Sequence, residues 1–226
     1  MPRGLFRLAD NRDPDSLASR MRRRRTAWFT DLVGALPRPV TILDVGGTQA
    51  FWEASGLAGD PDYRITLLNR TPQPVAHANM VSATGDARDL RGYDDDAFDV
   101  VFSNSVIEHV GTAADQRAMA DQVRRVGARF FVQTPNRWFP VEPHFLFPLF
   151  QFLPREVRIA LVRRFPLGWN PRAGDRACAE AMVDEIRLLG EAELRSLFPG
   201  AAIRREKLLL LTKSLVAHGG FVTPRA

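Results

Sequence analysis

Between residues 40 and 134 short apolar runs recur: VTILDV at 40–45, RITLLN at 64–69, NMVSA at 79–83, FDVVFS at 98–103 and RFFVQT at 129–134. Helix-like stretches near 49–57 and 113–126 separate them. Strands that stay apolar along both edges of the pleat must be buried on both faces, and a mostly parallel sheet with helices above and below provides that burial. The expected fold class is therefore α/β, a Rossmann-like doubly wound sheet. After a helix near 191–198, closed by Pro199 and Gly200, AAIRREKLLLLTKSLVAH reads as two strands. Their connection is too short for a helical crossover, so they are expected to pair antiparallel.

Ahead of the sheet, residues 1–15 mix Pro, Gly, Asn and Asp without periodicity and read as a loosely held lead-in. Ser16 is a helix N-cap in the pattern, and Met21, Trp28, Phe29, Leu32, Val33 and Leu36 then recur at three- and four-residue steps until Pro37 and Pro39. The run Arg22 to Arg25 falls inside this helix. Successive residues there are about 100° apart, so the run reads as a solvated face rather than a flat polyanion site, with one arginine free to reach a substrate phosphate. The stretch from 135 to 190 is longer than an ordinary connection and reads as a lid or substrate insertion.

A chain of 226 residues suits a single domain carrying such an insertion. The net charge of +5 is almost wholly arginine, since Lys207 and Lys213 are the only lysines, and by itself it selects no partner. The lone Cys178 excludes an internal disulfide framework and a thiolate metal cluster. No metal site is expected. Without a run of about 18 apolar residues or a secretory apolar core, the expected address is cytoplasmic.

The turn after the first strand carries the chemistry. In VTILDVGGTQAFW, Asp44 ends an apolar run and Gly46 and Gly47 follow at once. In a doubly wound sheet, ligands bind beyond the carboxyl ends of the strands, and glycines there let a ligand approach the main chain. A dinucleotide turn would show G-x-G-x-x-G and lay a pyrophosphate on the helix N-terminus. Here the turn is G-G-T-Q-A beside a carboxylate, which suits a cationic adenosine derivative better.

With LDVGGT, ITLLN, TGDARDL and FDVVFSNSVIEHV in order, the chain resembles the class I S-adenosylmethionine-dependent methyltransferases, within them the methyltransferase type 11 group. The resemblance covers roughly residues 40–134. It implies a seven-stranded mixed sheet with the last strand antiparallel, and S-adenosylmethionine as cofactor. It also implies that Asp44, Gly46, Gly47 and Thr48 surround the methionine part and that Asn69 meets the ribose. Asp86 and the Ala87 backbone would lie along adenine, and Ser103 and Asn104 beside the methyl donor. The turn departs from the fuller glycine pattern at Thr48 and Ala50, and Asn69 stands where the family usually has an acidic residue. An amide gives a diol one donor and one acceptor without charge assistance. The bland alternative for Asp44 and Asp86 is helix capping.

Methyl transfer needs an aligned nucleophile and, for a hydroxyl or acidic carbon, a base. His109, in IEHV after the fourth strand, and His144, beyond the fifth, are the candidate catalytic residues; His109 reads equally as a structural partner of loops. Arg137, Trp138 and Glu142 are candidates for the acceptor site, against the alternative that the insertion's aromatics only build its own core. The acceptor is expected to be a small molecule, a glycan or a lipid-linked compound. REVRIALVRRF, a basic amphipathic stretch, raises contact with an inner-membrane surface. Nucleic acid is not favoured, for the arginines and aromatics form no reader motif. Two other readings stand beside this one: a noncatalytic cofactor-binding or scaffold protein of the same fold, and a nicotinamide-dependent oxidoreductase, the latter weakened by the absent fingerprint. Oligomeric state is not legible.

Overall fold

The computed structural model describes residue 13 and residues 15–221; the lead-in expected at 1–15 lies, apart from residues 13 and 15, outside the described residues. Strands β1 (Val40–Val45), β2 (Tyr63–Asn69), β3 (Met80–Thr84), β4 (Val100–Asn104) and β5 (Phe130–Pro135) pair in parallel. A two-residue ladder, β6 (Val141–Glu142) with β7 (Phe147–Pro148), stands apart from them. Strands β8 (Ala202–Leu208) and β9 (Leu211–Gly219) complete a seven-stranded sheet in the order β3-β2-β1-β4-β5-β9-β8. β9 runs antiparallel to both β5 and β8, so the last strand is the one reversed member, as expected.

Helices α1 (Leu17–Gly34), α2 (Gln49–Ser55), α3 (Ala113–Val126), α4 (Arg155–Arg164), α5 (Arg176–Asp184) and α6 (Glu191–Leu197) cover the sheet and build the insertion. The period-2 geometry of a strand sends neighbours to opposite faces. Ile42, Val100, Phe102 and Phe131 meet Phe29 and Val33 of α1 and Trp52 of α2 on one side. Leu43, Val101 and Val132 meet Met119 and Val123 of α3 and Leu194 of α6 on the other. This two-sided burial is why the strand sequences read as continuous apolar runs.

The predicted start of α1 is present: Ser16 caps it, its hydroxyl accepting from Ser19 N. Phe29 and Val33 of the stripe are fully buried, each contributing roughly 1.5–3 kcal/mol of transfer free energy. In the insertion, Phe145 and Phe150 form a separate small core with Ile159 and Val162 of α4 and Ala179 and Val183 of α5. Ile159 and Val162 of REVRIALVRRF are thereby covered, while its Val157 and Phe165 stay exposed. No helix among the described residues is long and apolar enough to cross a membrane.

Candidate active site

All parallel strands end at one edge of the sheet, and two cavities open there. The first, about 320 Å³, is lined by Gly46 after β1, Asn69 at the end of β2, Asp86 and Ala87 after β3, and Val106 and His109 after β4. These residues lie up to 63 positions apart and meet because the strands are parallel and in register. Gly46 has φ +76°, and a Cβ there would come within 2.4 Å of Val106 Cγ2, so the turn is both left-handed and closely approached. The Asn69 amide donates to the Gly47 carbonyl at 2.9 Å, which ties the end of β2 to the glycine turn. Asp86 accepts from Arg88 through both oxygens, at 2.9 and 2.6 Å, and this bonding holds its carboxyl below the usual range.

Asp44, Thr48 and Ser103 do not line this cavity. Asp44 is buried under the turn, where Oδ2 accepts the Trp52 indole N–H at 2.7 Å. Burial raises its carboxyl to about 7, against that hydrogen bond. Thr48 occupies the N-cap position of α2 without a side-chain cap bond. Ser103 is fully buried, and its hydroxyl has no partner among the described residues.

The second cavity, about 330 Å³, takes Arg22 and Arg25 of α1, Asn104 and Ser105 leaving β4, Gln133 of β5, His144 of the insertion, and Lys213 and Ser214 of β9. Ser105 has φ 58°, a left-handed backbone that a non-glycine residue adopts at a cost of roughly 1–3 kcal/mol. Its hydroxyl donates to Gln133 Oε1 at 2.9 Å, and its amide to the Gln133 carbonyl at 3.0 Å. The strained residue thus separates Asn104, in the second cavity, from Val106, in the first.

The imidazoles of His109 and His144 meet edge to face, with centroids 4.9 Å apart, where the two cavities adjoin. Glu142 lies buried behind His144. It accepts His144 Nδ1 at 2.6 Å and the backbone amides of His144 and Phe145 at 2.8 and 2.7 Å. Burial alone would lower His144, but the bond and charge of Glu142, with Glu108 and Glu185 nearby, hold it above its ordinary value. His109 is pushed down, by burial first and then by His144. Glu108 is fully buried: Oε2 accepts from Thr134 Oγ1 at 3.0 Å, Oε1 has no partner among the described residues, and burial raises the carboxyl to about 7. Glu108, His109 and His144 bring one ligand atom each within 4.8 Å of one another, a two-imidazole, one-carboxylate set that could hold a divalent cation.

Of the expected acceptor residues, the structure brings only His144 to the second cavity. Arg137 and Glu142 line a smaller one, about 200 Å³, inside the insertion. Trp138 is 68% exposed and stacks on Phe152. Sequence reasoning missed Lys213 and Gln133, whose only signal was their place near the ends of β9 and β5.

Residues 43–129 match a family model described as a methyltransferase domain. An uncharacterized protein of Mycobacterium tuberculosis is 28% identical over 136 residues, 54% of this chain and 45% of that protein, so the chain spans about half the length of the curated relatives it matches. Among solved structures, the CurJ carbon methyltransferase has a TM-score of 0.54 at 12% identity, over 90% of this chain and 55% of that one. The N-methyltransferase NodS of Bradyrhizobium japonicum has 0.52 at 14%, over 91% and 97%. At such identities the structures speak to the fold, and the family match speaks to the sequence within it. Residues 43–129 are thus similar to a methyltransferase domain, and the chain has the Rossmann-like fold of the methyltransferases.

Proposed function

We propose that the first cavity holds S-adenosylmethionine and the second an acceptor to which its methyl passes. The observation that carries this reading is that His109 lines the first cavity and His144 the second, with their rings in contact. The first cavity fits the group: its volume is in the range of small-ligand sites, its glycine turn admits close approach, and Asn69 and Asp86 face a nucleoside with an acceptor-rich rim. Gly46, Asn69, Asp86 and Ala87 would hold it, with Asp44 and Thr48 supporting the turn from behind. When bound, it supplies an electrophilic methyl on a sulfonium centre.

His144 is the group we assign to accept a proton from the acceptor. Its Nδ1 is engaged by Glu142, which fixes the ring and leaves Nε2 for the reaction. His109, kept neutral by burial, packs against it and closes the boundary between the cavities. Asn104 and Gln133 would orient the acceptor, whose class we take to be a small molecule, a glycan or a lipid-linked compound.

The test uses methyl-labelled S-adenosylmethionine with small-metabolite, glycan and lipid fractions. Wild type should label one fraction, and His144→Gln should lower kcat by about 10²–10⁴ while leaving the KM for the cofactor near its original value. Undiminished labelling by both His144→Gln and His109→Gln would refute the assignment.

One observation favours an acceptor reached at a membrane surface. The turn between β8 and β9 projects Leu209 and Leu210, 89% and 92% exposed, at the sheet edge that carries both cavities. Such a tip can insert shallowly into a bilayer beside the site, with the basic residues of β8 near the headgroups.

A further inference from the structure

The second cavity carries more positive charge than the protein around it neutralises. Arg25 is committed: its Nε donates to Glu206 at 2.9 Å and Nη1 to Asn104 Oδ1, both ionic side chains being about nine-tenths buried. Glu206 in turn accepts from Ser214. Arg22 and Lys213 have no carboxylate or hydrogen-bond partner among the described residues, yet both line the cavity. Three cations therefore face one carboxylate. Burial, then the Arg25 charge, press the Lys213 ammonium down, with Glu206 opposing and Arg22 adding to the pressure. Placing one of only two lysines there, half-buried and unpaired, is unfavourable in the free protein. An anionic group entering the cavity removes that cost.

Resting on the two-cavity reading above, we infer that the acceptor is acidic: a carboxylate- or phosphate-bearing molecule held by Arg22 and Lys213, with its methyl-accepting atom toward His144. Arg25, locked by Glu206 and Asn104, acts as a positioning residue that fixes α1 over the cavity. Arg22 and Lys213 line the same cavity as Asn104 and His144, so one acceptor can offer its anion to the cations and its reactive end to Asn104 and His144. The same chemistry is offered by a free metabolite and by a lipid-linked phosphate or acidic headgroup.

The experiment titrates the whole chain, at constant ionic strength with chloride as the balancing anion, with inorganic phosphate and separately with malonate, followed by calorimetry. A second arm sediments the chain with phosphatidylcholine vesicles with and without phosphatidylglycerol. S-adenosylhomocysteine is titrated in parallel, and every arm is repeated on Arg22→Gln, Lys213→Gln and Lys213→Arg. Expected is saturable binding of at least one anion probe, weakened about tenfold or more by each Gln variant and largely retained by Lys213→Arg. S-adenosylhomocysteine affinity should stay within about twofold throughout, since neither residue lines the first cavity. Vesicle binding that requires phosphatidylglycerol and falls in the Gln variants names the lipid source; anion binding without it names a free acceptor. Absence of saturable binding in every arm, or binding that the Gln variants leave unchanged, overturns the inference. Failure of S-adenosylhomocysteine to bind wild type would instead strike the two-cavity reading beneath it.

Discussion

Replacing Gly47 by alanine probes how the glycine turn is supported. A Cβ at this position would stand 1.8 Å from Asp44 Oδ2 and 2.1 Å from its Cγ, far inside van der Waals contact. Asp44 has little room to yield, because it is buried and its Oδ2 holds the Trp52 indole N–H. Overpacking costs about 1–3 kcal/mol, and a buried donor left without its acceptor about 1–3 kcal/mol more, so Gly47→Ala should lose about 2–5 kcal/mol. The collision is with one side chain, which makes the reasoning separable. Asp44→Ala alone strands the same indole and should cost about 1–3 kcal/mol. Added to that variant, Gly47→Ala finds the space empty and the indole already unpaired, and costs little further. Urea unfolding of the four proteins at one pH gives the cycle. The double variant should be more stable than the sum of the single losses by about the Gly47→Ala loss itself, about 2–5 kcal/mol. Additive losses, or a Gly47→Ala loss under about 0.5 kcal/mol, would refute the account of Asp44 as the floor of the turn.

Other expectations concern the buried acids and the exposed tip. Glu108 titrates near 7 in the fold instead of its ordinary 4.5 because burial disfavours its charge. Its contribution to stability is therefore full below about pH 4.5 and lost as the pH rises to about 7. Thermal unfolding of wild type should weaken through that window relative to Glu108→Gln, and parallel Tm curves would count against this. Glu142→Gln removes the charge that raises His144, so the His144 ring should titrate at lower pH by NMR and the acid limb of the pH–activity profile should move to lower pH with it; an unmoved titration would sink the positioning role. Leu209→Ser with Leu210→Ser should abolish sedimentation with anionic vesicles while leaving Tm within a few degrees, as both side chains are solvent-exposed. Equal sedimentation before and after would remove the membrane reading of the tip.

Strand positions were legible because burial on both faces leaves apolar runs that few other arrangements produce. The lining of the first cavity was legible for a related reason: its residues sit at strand ends, where order along the chain converts directly into proximity. The direction of Asp44 was misjudged at that level. It shares strand parity with Ile42, and therefore faces α2 and Trp52, eight residues on, rather than the cavity mouth. The second cavity was the hardest to foresee. Arg22 and Arg25 come from α1 and Lys213 from β9, nearly the full chain apart, and only the antiparallel insertion of β9 between β5 and β8 brings them together. Within the insertion, Phe145 and Phe150 turned inward to a local core, whereas Glu142 reaches His144 through a tight turn followed by Leu146, whose φ is 46°. Side-chain alternation alone does not specify such a turn.

Calorimetric titration with S-adenosylhomocysteine, beside NAD, on wild type and Asp86→Ala tests the central claim most directly. The account predicts saturable binding of S-adenosylhomocysteine to wild type, markedly weakened in Asp86→Ala, and none of NAD. Binding of NAD in its place, or S-adenosylhomocysteine affinity untouched by Asp86→Ala, would contradict it.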